Sequence, residues 1–153
     1  MEYKGTLLAV RDMEKAKQFY HSVLDLEVEL DAGVHVVLTG GLFLQTVDTW
    51  GSFIHVSESD VLFKNNASEL YFETEDMDKF LEKLTSMDIV YAHPVMEHSW
   101  GQRAVRFYDL DHHVIEVAEA IKAVIWRFID SGLTVKEVAE RTGTDIKYII
   151  ERL

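Results

Sequence analysis

The chain has 153 residues, 48% of them hydrophobic and 27% charged, the composition of one ordinary globular domain with a real core. It contains no cysteine, so disulfides and thiolate chemistry are excluded. A formal charge of −12 argues against nucleic acid as a partner and suits a cationic ligand, a metal ion or plain solubility. With a polar start at Met1–Lys4 and no apolar run of membrane-spanning length, the expectation is a soluble cytoplasmic protein with no membrane partner.

Thr6–Val10 reads as a short apolar strand. Asp12 then caps a helix in which Ala16, Phe19, Tyr20, Val23 and Leu24 fall at helical spacing. Three strands are predicted next, at Glu27–Leu30, Val34–Thr39 and Leu42–Val47, with Gly33 and Gly40–Gly41 in the turns. Residues 48–67 read as a linker holding one short strand at Phe53–Val56. A strand at Glu69–Glu73 follows, then a helix capped by Asp76 with Met77, Phe80, Leu81 and Leu84 inward, then a strand from Ile89 to Ala92. Arg103–Tyr108 and His113–Val117 flank a turn at Asp109–His112 and read as a hairpin.

The order of elements occurs twice. Arg11-Asp12-Met13-Glu14-Lys15 and Glu75-Asp76-Met77-Asp78-Lys79 nearly match, 64 positions apart, and Leu42–Val47 aligns with His113–Ala118. The predicted fold is therefore α+β, two tandem β-α-β-β-β units at about 4–47 and 68–118 joined by the linker 48–67, within a domain 1–118. In this alignment Gly5 corresponds to Glu69, and Gln45 to Glu116.

Glu116, set between Ile115 and Val117, either faces water or lies on a dry face, where it needs a metal, a cation or a proton beside it. Each unit's helix must cover one face of its sheet. In the second unit that face is predicted to hold Leu70, Phe72, Ile115 and Val117, leaving Glu69, Tyr71, Glu73, Val114 and Glu116 on the other. In the first unit the corresponding open face holds Leu7, Ala9, Phe43, Gln45 and Val47, with His35. Two such curved sheets facing each other would enclose a cleft containing Glu69, Glu116 and Gln45, oxygen donors suited to a divalent ion such as Mg²⁺, Mn²⁺, Ni²⁺ or Zn²⁺. Without a charge partner the two carboxylates would raise each other's pKa, and one could act as a general base. Trp100, a large ring beside Gly101 and near Arg103, reads either as a ligand-orienting group or as a partly buried turn residue. His35, Phe43, Tyr71, Trp100 and Arg103 are the candidate substrate contacts.

Residues 119–153 form a helical extension. Ile121, Val124, Ile125, Phe128 and Ile129 make a helical stripe ending near Gly132, and Thr134 and Glu137 make a capping box. Gly143 ends that helix, and Thr144 is expected to cap the last one, where Ile146, Ile149, Ile150 and Leu153 pack. Ser131–Leu153 resembles the helix-turn-helix of small regulators, but six Lys and Arg against six Asp and Glu over 119–153 leave it neutral. Packing on the sheet domain or on a partner subunit is the expectation, with nucleic acid disfavoured.

The duplication, the phrase Leu8-Ala9-Val10-Arg11-Asp12 leading to Phe19-Tyr20 and Leu24, and Asp109-Leu110-Asp111-His112-His113-Val114-Ile115-Glu116 together resemble the vicinal-oxygen-chelate superfamily of glyoxalase I, bleomycin-resistance proteins and extradiol dioxygenases. The resemblance covers about residues 4–118 and implies a ligand cleft formed by paired units, often in a homodimer. Its metal-using members place ligands at positions that are Gly5, Gln45, Glu69 and Glu116 here; three could ligate and Gly5 cannot. The leading expectation is a divalent-metal-dependent lyase or isomerase of glyoxalase type, with Glu69 and Glu116 also in the catalytic roles. The alternatives are a metal-free protein that binds or sequesters a small molecule, and a ligand-sensing regulator acting through the C-terminal helices.

Overall fold

The structure is a computed structural model that describes residues 1–153. Two compact units make up the chain, one of residues 1–68 with 109–113, the other of residues 69–108 with 114–153.

The first unit runs β1 (Thr6–Val10), α1 (Met13–Leu24), β2 (Val28–Asp31), β3 (His35–Leu38), β4 (Leu42–Thr46) and α2 (Val47–Ile54). Asp12 caps α1 by accepting from the Lys15 amide, and Asp25 ends the helix in the left-handed conformation. The sheet order is β1-β4-β3-β2, with β1 and β4 parallel. Ala16, Tyr20 and Val23 of α1 are buried, as are Val10, Val36, Leu38, Leu42 and Leu44, the alternate residues of three strands. The predicted strand at Phe53–Val56 is not formed. Val47, Trp50, Gly51 and Ile54 recur at helical spacing, and this period prevails over the short apolar run, so helix α2 begins where the linker was expected. A single 3₁₀ turn follows at Glu58–Asp60.

The second unit repeats the plan: β5 (Glu69–Thr74), α3 (Met77–Thr85), β6 (Val90–Glu97), β7 (Arg103–Tyr108) and β8 (Val114–Glu119), in sheet order β5-β8-β7-β6. Met77 and Leu84 of α3 are buried, and Phe80 meets Phe107 with ring centroids 6.3 Å apart. Of the four residues predicted for the covered face, Ile115 and Val117 are buried with them and Leu70 and Phe72 are half-buried; Val105 and Phe107 are buried as well.

The chain continues in this unit through α4 (Ile121–Asp130), α5 (Val135–Thr142) and α6 (Ile146–Ile150). Val124, Ile125, Phe128, Val138 and Ile149 form one buried cluster across the three helices. The Thr134–Glu137 capping box is present. The last helix is capped by Asp145 rather than Thr144: its carboxylate accepts from the amides of Lys147 and Tyr148. Gly101 (φ +90°) lies against the Phe128 ring so closely that a Cβ there would sit 2.1 Å from it, so a glycine is what lets α4 seat on the β6–β7 connection.

Candidate functional site

The open face of the second sheet gathers the two carboxylates singled out by sequence. Register places Glu116 between Tyr71 of β5 and Arg106 of β7, and Arg106 next to His93 of β6. Arg106 Nε donates to Glu69 Oε2 at 2.9 Å, and its Nη2 donates to Glu116 Oε2. Arg106 Nη1 lies 3.2 Å from His93 Nε2, while His93 Nδ1 lies 2.7 Å from the Pro94 carbonyl. Both contacts are satisfied by one neutral tautomer, with the proton on Nδ1. Glu116 is only 5% exposed. The cation that a dry Glu116 requires is thus the chain's own guanidinium.

The two carboxyls are driven apart. Hydrogen bonding and charge from Arg106 outweigh partial burial and hold Glu69 below its ordinary value. Burial pushes Glu116 up; Arg106 opposes this and the negative charge of Glu69 reinforces it. At a given pH the pair therefore has an acceptor in Glu69 and a more readily protonated partner in Glu116.

In the first unit Gln45 is 1% exposed and fully engaged. Its Oε1 accepts from His35 Nδ1 at 2.8 Å and its Nε2 donates to Thr49 Oγ1 on α2. Phe43 lies two residues back on the same face, its ring 5.9 Å from that of His35. The register revises the sequence alignment of the two units. Leu7 pairs with Phe43, whereas Tyr71, 64 positions after Leu7, pairs with Glu116. The position matching Glu116 by strand pairing is therefore Phe43, and Gln45 stands two residues further along, opposite Ala9. Gly5 is closed to any side chain: its φ is +145°, and a Cβ would come within 1.7 Å of the Gly41 carbonyl oxygen, which already accepts from the Thr6 amide.

Arg103 lies apart from Arg106's row, whereas Trp100 is tied to the open face through Gln102, whose Nε2 lies 3.4 Å from Tyr71 Oη. Trp100 stacks on His98 at 4.3 Å and donates from Nε1 to Gln102. Arg103 faces the helix-covered side, where it donates to Asp78 of α3 and to Glu119. Glu119, buried at the end of β8, also accepts from Arg127 of α4. Burial raises its carboxyl, but the two guanidinium groups more than offset this and hold it below the usual range. Tyr71, half exposed, donates to Glu73.

Two features escaped sequence reading. One is Arg106 itself. A hairpin turn of four residues, 109–112, would set Arg106 opposite Ile115; the observed turn runs through His113, and the added residue brings Arg106 opposite Glu116. The other is the buried turn carboxylate Asp109, which accepts from Tyr20 Oη at 2.7 Å, from His113 Nδ1 at 2.8 Å and from the amides of Asp111 and His113. The neighbouring Asp111 binds Arg11, whose guanidinium covers the Phe63 ring at 3.7 Å.

No three His, Asp or Glu side chains are gathered to hold a metal ion. The four positions implied for a metal do not fit one: Gly5 is sterically closed, Gln45 is out of register and committed to His35 and Thr49, and Glu69 and Glu116 share Arg106.

Two β-α-β-β-β units with matching sheet orders and an acidic open face define a protein of the vicinal-oxygen-chelate superfamily. A family profile described as glyoxalase-like domain matches residues 3–122, and the chain belongs to that family. Among solved structures it resembles a protein of unknown function from Agrobacterium tumefaciens str. C58, at 29% identity and a TM-score of 0.69 over 78% of this chain and 94% of that one. A lactoylglutathione lyase from Agrobacterium tumefaciens aligns at 22% identity and a TM-score of 0.57 over 78% and 93%. A glyoxalase/bleomycin resistance protein/dioxygenase family enzyme from Burkholderia phytofirmans PsJN shares the fold at 11% identity and a TM-score of 0.66 over 76% and 96%. A search of curated protein sequences found no match.

Proposed function

We propose that this glyoxalase-like protein binds a small organic molecule on the Glu69–Arg106–Glu116 face without a divalent metal. The observation that carries the reading is the Arg106 guanidinium between the two carboxylates, where a metal-dependent member would need a free ligand pair. The closed Gly5 position supports it independently. On this face Glu69 offers a charged acceptor, Glu116 a buried carboxyl with a raised pKa, and Tyr71 a half-exposed ring. A flat ligand with a hydrogen-bond donor or a positive charge would meet all three. The same raised pKa suits Glu116 to passing a proton to or from a bound substrate, the step an enzyme of this family would ask of it.

Metal content of the untagged protein, followed by Ni²⁺, Mn²⁺ and Zn²⁺ titration of wild type and Glu116→Gln, tests the reading. The expected result is no stoichiometric ion and no difference between the two proteins. One tight ion per chain, lost in Glu116→Gln, would overturn it in favour of the metal-dependent lyase or isomerase.

A further inference from the structure

The second unit has a cavity of about 510 Å³ on its helix-covered side, between α4 and the N-terminal turn of α3. That volume is in the range of small-molecule sites. The cavity wall does not include Glu69, Glu116 or Arg106, so it is separate from the open face.

One side of the cavity is the outer face of α4. The inward stripe of this helix is Ile121, Val124, Ile125, Phe128 and Ile129. Ala123, Trp126 and Asp130 recur at i, i+3 and i+7 on the opposite side, and all three line the cavity. A tryptophan there adds nothing to the helix core and remains 38% exposed, while the small Ala123 leaves space beside it. The charged groups around it are unequally committed. Arg103 and Arg127 are tied to Glu119, with Asp78 on the Arg103 fork, so neither guanidinium is free to take an anion. The Asp130 carboxylate has neither a hydrogen-bond nor an ion-pair partner, and Glu75 meets Lys122 only at 3.8 Å. Five carboxylates against three basic groups leave the lining net negative.

We propose that this cavity is a second ligand site, for an organic monocation with an apolar or aromatic body, a primary or quaternary amine, seated against Trp126 and facing Asp130. An indole face is the best aromatic partner for such a cation, and Asp130 supplies the countercharge. A net charge of −12 raises the local concentration of cations around the whole chain. An inorganic cation would gain little, because no three carboxylates converge on one point.

Calorimetric titration of the full chain with benzyltrimethylammonium tests the proposal, with phenylacetate as the anionic control. Trp126→Ala and Asp130→Asn are substitutions at exposed positions outside the core, and circular dichroism checks their fold. The expected result is saturable 1:1 binding of the cation, no binding of phenylacetate, and a loss of about ten-fold in affinity in each variant. The component of binding that Trp126→Ala removes should remain in Glu116→Gln. The absence of saturable binding at millimolar probe, or equal binding of phenylacetate, would overturn the proposal. So would binding that survives Trp126→Ala and is lost in Glu116→Gln, a result that moves the cation to the open face and leaves the reading of that face standing.

Discussion

Replacing Arg106 with Gln removes the one positive charge that Glu69 and Glu116 share. At 2.9 Å, the Arg106–Glu69 contact alone represents a gross attraction of about 6 kcal/mol at an effective dielectric constant of 20. Most of this is cancelled by the cost of taking the charges out of water. Breaking a buried pair costs about 3–5 kcal/mol net. Here the Arg106 side chain is 26% exposed and that of Glu69 37%, so water screens part of the loss and about 2–3 kcal/mol is expected at pH 7. The pH dependence has a definite sign. Glu69 titrates below its unfolded value, so its contribution is present above the unfolded carboxylate range and disappears as pH falls through the folded value. Glu116 titrates above its unfolded value, so its charged form is a burden above the folded value that protonation relieves. Without Arg106 the first effect vanishes and the second grows, and the deficit of the variant should be largest at neutral pH and shrink toward pH ~4. Urea unfolding of both proteins at the two pH values measures this directly. A deficit under about 0.5 kcal/mol at pH 7, the size of an ordinary surface substitution, would refute the account, as would one that widens on acidification.

Gly5→Ala forces a methyl group to within 1.7 Å of a backbone carbonyl at a φ of +145°, and about 3 kcal/mol or more of stability should be lost in thermal unfolding. Gly101→Ala should cost about 2–4 kcal/mol, from a left-handed φ and overlap with the Phe128 ring. Adding Phe128→Leu to Gly101→Ala should make the pair less destabilised than the sum of the single changes, and strict additivity in urea would show that the contact carries no energy. Asp109 is pushed up by burial but held below its ordinary value by His113, Tyr20 and backbone amides, so Asp109→Asn should cost about 1–3 kcal/mol near neutrality. The native carboxylate's advantage is complete above the unfolded carboxylate range and is lost as pH falls through the folded value, so the two melting temperatures should converge in acid. Parallel pH profiles would contradict this.

Much of the molecule was legible in the order of its residues. Helical and strand periods, Asp12 and Asp76 at two equivalent caps, and the near-repeat 64 positions apart were enough for two β-α-β-β-β units and for the inward and outward faces of both sheets. Those signals are local, set by side-chain alternation and backbone hydrogen bonding within a few residues. The site was legible only as a list of oxygen donors. Whether Glu116 met water, a metal or a cation depended on the length of one turn: a fifth turn residue brings Arg106 rather than Val105 across from it. Whether Gln45 matched Glu116 depended on a two-residue register difference between the units, and whether Gly5 could be replaced depended on a carbonyl 36 residues away in the chain. Each of these is a contact between strands distant in sequence. Only tertiary structure decides such contacts, because pairing register is fixed by how whole strands bury their apolar faces and not by the identity of any one residue.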